Sequence, residues 1–147
     1  MKRRTIGYVL GGAVVVIAIG VAIDMAIVTE EERLEAFVEA VTGEVTSEKI
    51  DAALSWIDTS RQPVEVYVMG QSDLYEDDDT LRERARDSMR RFMGQDLRML
   101  NETITVEDER ATIRVRVLND QLGMVTAEFD LRKREETWLV SAVRVTR

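Results

Sequence analysis

The chain of 147 residues carries 20 Lys and Arg against 28 Asp and Glu, with one Pro, no His and no Cys. Without His and Cys it has no thiol nucleophile, disulfide, Cys/His zinc site, His or Cys haem ligand or imidazole general base. Its 45% apolar and 33% charged residues are the composition of a folded domain, and the length corresponds to about one.

From Ile6 to Ile23 run eighteen residues without a charge; as a helix they would span about 27 Å, the thickness of a bilayer core. Apolar character resumes after Asp24 in Met25, Ala26, Ile27 and Val28, which puts Asp24 near an interface rather than at the midplane. The sequence therefore predicts a basic tip and membrane anchor over residues 1–28 and a domain over 29–147. Lys2, Arg3 and Arg4 precede the apolar run and Glu30, Glu31 and Glu32 follow it, which orients the N-terminus to the cytoplasm and the domain outside. A cleaved signal peptide is the competing reading, with small residues at Ala18, Gly20 and Ala22, but its apolar region would be about 7–15 residues long and this one runs on. Residues 29–147 hold 17 basic and 27 acidic side chains, a net charge of −10. That sign opposes a phosphate backbone, so no nucleic-acid partner is expected.

Thr29-Glu-Glu-Glu32 has the spacing of a capping box, and Leu34, Phe37, Val38 and Val41 then share one helical face before Gly43. A second helix follows a cap at Thr46 or Ser47, with Ile50, Ala53, Leu54 and Ile57 on one face. After Pro63 the period changes to two over Val64–Met69, a short strand whose leading Pro suits a sheet edge. Thr80-Leu-Arg-Glu83 is a further capping box, opening a helix over 80–96 with an apolar stripe through Leu81, Ala85, Met89, Phe92 and Met93. Four strands complete the chain, Arg98–Glu107, Ala111–Asn119, Leu122–Arg132 and Thr137–Thr146, and their short turns make an antiparallel meander.

The predicted class is α+β: an N-terminal transmembrane helix, then a curved antiparallel sheet packed against three helices in the order α-α-β-α-β-β-β-β. This order, with the final Thr137-Trp138-Leu139-Val140-Ser141-Ala142-Val143 strand, resembles the NTF2-like superfamily, also called the cystatin-like α+β cone, over about residues 30–147. The resemblance implies a pocket between sheet and helices, in which enzymes of the superfamily place Asp, Tyr and often His. Here His is missing, leaving Tyr67, Asp73, Tyr75 and Asp96 as the candidate pocket polar groups. Membrane-anchored domains of this kind occur in bacterial envelope complexes, among them secretion-system subunits and proteins associated with Mce transporters. The anchor and the missing chemistry point to a non-catalytic binding or assembly module with a protein partner or a second copy of itself, a role that the resemblance allows. The alternative is a small-molecule pocket, binding or isomerase/dehydratase-like.

Candidate binding residues lie on two surfaces. Arg82, Arg86 and Arg90 recur at i, i+4, i+8 along the third helix, and Arg114 and Arg116 alternate with Ile113, Val115 and Val117 on one strand. Glu76-Asp77-Asp78-Asp79 precedes a helix, where acidic side chains are favoured, and lacks the spaced pattern of a calcium loop. No metal or other cofactor is called for. Trp56 and Trp138 could anchor an interface, although Trp138 on the last strand suits the core. A topology reporter fused after Arg147 should read as extracytoplasmic, and converting Lys2, Arg3 and Arg4 to Glu should weaken or invert that reading.

Overall fold

A computed structural model describes residues 29–147 of the protein. The anchor expected over residues 6–28 lies outside these; among the described residues no helix is long and apolar enough to cross a membrane. The elements are α1 (Glu30–Val41), β1 (Gly43–Glu44), α2 (Ser47–Leu54), β2 (Val64–Val68), β3 (Gln71–Tyr75), α3 (Asp78–Arg90), β4 (Asp96–Glu107), β5 (Arg110–Asn119), β6 (Gly123–Arg134) and β7 (Thr137–Thr146). Among the described residues the helices number three, as the sequence implied for the domain, but β1 and β3 are additions, so the order is α-β-α-β-β-α-β-β-β-β.

At the start of α1 the capping box forms as its spacing predicts: the Glu32 backbone donates to Thr29 Oγ1 and the Thr29 backbone donates to the Glu32 carboxylate. Leu34–Arg147 make one compact unit. Thr46 caps α2, accepting from the Lys49 backbone N–H. The third helix opens earlier than Thr80. Asp77 is its cap, and the Thr80 hydroxyl and backbone N–H both donate to the Asp77 carboxylate, holding its pKa below the usual range. It also ends earlier, at Arg90, because Arg91–Gly94 turn back and the Gly94 N–H donates to Val45 O. Met93 therefore leaves the apolar stripe and is 42% exposed, while Phe92, just past the helix end, still faces the same interior as Leu81, Ala85 and Met89.

One seven-stranded sheet runs in the order β1-β4-β5-β6-β7-β2-β3. The β4–β7 meander is antiparallel throughout, and β2 joins it by parallel pairing with β7, Glu65–Val68 against Ala142–Val145. Pro63 thus precedes an interior strand, not an edge; β3 takes the edge, turned back on β2 by Met69 and Gly70, both at positive φ as a two-residue hairpin of this twist requires. In β3 only Leu74 and Tyr75 are large and apolar, and Leu74 stays 63% exposed, so the strand is held by its ladder to β2 rather than by burial.

Period-two alternation gives the sheet two unlike faces. One row on the concave face runs Ile104, Ile113, Phe129, Val143, Val66 across five strands; its neighbour runs Val106, Ala111, Leu131, Val140. On the opposite face Arg114, Glu128, Arg144 and Tyr67 form the corresponding row. Leu34, Phe37 and Val38 of α1 bury against the concave rows, where the Phe37 ring meets Phe129 edge-on at 4.8 Å and Trp56 at 5.4 Å. Trp138 is buried, as its strand position suggests, while Trp56 is half-buried beside Phe37 and sends its carbonyl to the Val140 N–H.

Phe37→Ala should cost about 3–5 kcal/mol in denaturant unfolding, as for a fully buried Phe, whereas Phe92→Ala should fall below half of that because Phe92 is only half-buried.

Candidate functional site

The helices do not fill the space they enclose with the sheet. Between α2, α3 and the concave face of β2 and β5–β7 lies a cavity of about 420 Å³. Ile50, Ala53 and Leu54 of α2 and Leu81, Ala85 and Met89 of α3 form its roof, with Phe92 behind them. Its floor continues the apolar rows through Val66, Val115, Ala127, Phe129 and Val143. The helical spacing that marked these roof residues as core is the same spacing that now lines a void, because Ala53 and Ala85 are too short to reach the valines opposite.

A few polar groups interrupt this lining. Asn119 is buried and saturated: its amide donates to Gln95 Oε1 at 3.0 Å, and its Oδ1 accepts from the Gln121 and Leu122 backbones at 3.0 and 3.1 Å, which closes the β5–β6 turn. Arg84 donates to the Tyr75 hydroxyl at 3.1 Å, stands 5.6 Å over the Tyr75 ring and lies 3.8 Å from Asp73. The bond to Tyr75, ahead of the attraction of Asp73, raises the guanidinium pKa above its ordinary value. Lys49, on the first turn of α2, donates from Nζ to Thr42 O at 2.6 Å. Among the described residues no carboxylate is within ion-pair distance of Lys49. Gly43 makes that approach possible: at φ +79° it carries no side chain, and a Cβ there would stand 2.6 Å from Nζ. Glu44 is the carboxylate in the lining, and its residue is exposed.

Of the four pocket groups proposed from sequence, the structure brings one into the cavity. Tyr75 lines it. Tyr67 points the other way, since Val66 and Val68 take the concave positions and Tyr67 pairs with Arg144 on the opposite face. Asp73 sits on the exposed edge strand near Arg84, and Asp96 begins β4 opposite Glu44. The Arg residues each have a local role. Arg82 donates to Ile57 O at 3.3 Å, Arg86 pairs with Asp51 at 3.1 Å and Arg90 with Asp87 at 3.0 Å. Arg114 and Arg144 share the Glu128 carboxylate at 2.7 and 2.9 Å, and Arg116 reaches Met124 Sδ. Sequence reading passed over Lys49 and took Gly43 only as a helix stop; the available signal was a Lys one turn past a Thr cap, preceded by that Gly at a helix end. Among the described residues no group of acidic side chains could hold a metal ion.

The sequence matches no protein-family model and no curated protein. Solved structures do match. A de novo designed protein with a curved β-sheet superposes with a TM-score of 0.59 at 15% identity, covering 81% of this chain and all of that one. An NTF2-like protein of unknown function from Pseudomonas putida KT2440 gives 0.57 at 10% identity over 77% of this chain and 80% of its own. A protein of unknown function with a cystatin-like fold from Nostoc punctiforme gives 0.52 at 15% identity, over 80% and 91%. The fold is the NTF2-like, cystatin-like α+β cone that the order of elements suggested.

Arg86 and Asp51 are both more than half exposed, so a double-mutant cycle on the pair should return under about 1 kcal/mol in denaturant unfolding.

Proposed function

We propose that this domain is a non-catalytic binding module that takes a small apolar molecule into the cavity of its cone, tethered to a membrane through residues 6–28. The cavity carries the reading: about 420 Å³ falls within the roughly 300–1,000 Å³ of small-molecule sites, and its lining is apolar with a few polar groups among it. Proton-transfer catalysis needs an acid or base within reach of the bound molecule. Tyr75 alone of the four candidates faces the cavity, with its hydroxyl engaged by Arg84, while of the other ionisable lining groups Lys49 is bonded to Thr42 O and Glu44 is an exposed residue; this supports binding over isomerase or dehydratase chemistry. The tether is supported by the charge-free run of residues 6–23 and the basic tip before it. A protein partner or a second copy remains part of the proposal for a membrane-tethered module, though the Arg82, Arg86, Arg90 flank already contacts its own chain.

A neutral alkyl probe, dodecanol bearing a diazirine, tests the reading on the full-length chain in detergent. After irradiation, peptides spanning α2 and α3 should carry the label. Ala53→Leu with Ala85→Leu, which extends the roof into the void, should reduce that labelling at least about tenfold with the circular dichroism unchanged. Labelling that ignores the two substitutions, or that never reaches α2 and α3, sinks the cavity reading.

A further inference from the structure

We infer that the ligand of this cavity is a single-chain amphiphile ending in a carboxylate, a fatty-acid-like anion, whose head is held by the Lys49 ammonium. The inference rests on the cavity reading above and adds the chemistry of the head. Aliphatic roof and floor residues call for a hydrocarbon body, and a volume at the low end of small-molecule sites suits one acyl chain rather than two.

Among the described residues two cations line the cavity, and their circumstances differ. Arg84 is already committed to the Tyr75 hydroxyl and ring and to Asp73. Lys49 has three donor hydrogens and one acceptor, Thr42 O. The residue is half-buried, and an anion placed there would gain charge-assisted bonds of the stronger kind from the two remaining hydrogens. The absent Cβ of Gly43 and the bond to Thr42 O fix Nζ at the end of the cavity where α1, β1 and the start of α2 converge. The first turn of α2 adds the positive end of its dipole on the same side.

Glu44 decides which anion. Among the described residues it is the one carboxylate in the lining, it lies beyond ion-pair distance of Lys49, and it repels negative charge brought to that end of the cavity. A monoanionic carboxylate meets that repulsion once, whereas a phosphate monoester at neutral pH carries close to two charges and meets it more strongly. In a domain with a net charge of −10 over residues 29–147, a singly charged head is also the easier anion to admit.

Competition against the diazirine dodecanol on the full-length chain reads the head preference directly. Dodecanoate should displace the label from α2 and α3 at concentrations about tenfold or more below those needed for dodecanol, dodecyltrimethylammonium or dodecyl phosphate. Lys49→Gln keeps a donor for Thr42 O and removes the charge, so it should abolish the preference for dodecanoate while leaving dodecanol competition where it was. Arg84→Gln should retain the preference. Equal competition by all four compounds, a preference for the phosphate or the cation, or a dodecanoate preference that survives Lys49→Gln overturns the carboxylate inference and leaves the cavity reading standing. Failure of the neutral probe itself to label α2 and α3 removes both.

Discussion

Two β-bulges set the shape on which everything else here depends. In β7, Ser141 is the extra residue between the Asp130–Ala142 and Leu131–Val140 pairs, and its hydroxyl donates to Asp130 O at 3.0 Å. In β4, Leu100 is skipped between Met99 and Asn101, and it remains 49% exposed. Each bulge reverses the inward and outward phase of its strand: Trp138 and Val140 face the core before Ser141, and Val143 and Val145 face the cavity after it. A bulge also bends its strand and increases the local twist. The sheet can therefore wrap over α1 at one end, with Phe37 in contact, and stand away from α2 and α3 at the other.

The cavity follows from that curvature together with short side chains. Tight packing is the rule in protein interiors, and a void of several hundred cubic ångströms lined by aliphatic groups forgoes dispersion contacts that larger residues would supply. At the α1 end, Phe37, Phe129 and Trp56 close the gap with aromatic rings. At the other end the facing positions are Ala53, Ala85, Ala127 and several valines, and the gap persists. Its polar groups are held from outside the apolar lining, Asn119 by the β5–β6 turn and Lys49 by the end of α1, so they meet the cavity without breaking its walls.

The opposite face of the sheet is built on different terms. Arg114, Glu128 and Arg144 lie side by side across three strands, with the carboxylate shared by both guanidiniums. The guanidiniums stay exposed while the carboxylate between them is only 20% exposed, and the cluster keeps a wide polar face wetted while the other face is covered. The flank of α3 is wetted too, with Arg86 and Arg90 matched by Asp51 and Asp87.

Local pattern carried the three helices, the capping box at Thr29, the cap at Thr46 and the meander, because each of these is written within a few residues: an oxygen three positions before an N–H, an apolar residue every second or every three to four positions. The cone was legible through the order of these elements, by resemblance. The shifted start of α3 at Asp77 shows the limit of that reading, since Asp77 and Thr80 are both competent caps and the choice follows from the neighbours, with Asp78 also receiving the Thr59 N–H. Strands β1 and β3 are too short or too polar to announce themselves, and they exist because β4 and β2 offer them hydrogen bonds. Pro63 suggested an edge only because a local sequence does not say that β7 will come to pair in parallel beside it. Alternation along β2 was visible in the sequence, but which of Val66 and Tyr67 would face inward was not. That assignment, the phase reversals at Ser141 and Leu100, the void under Ala53 and Ala85 and the meeting of Lys49 with Thr42 were decided only by the tertiary structure, because each depends on how distant strands and helices are brought together across the sheet.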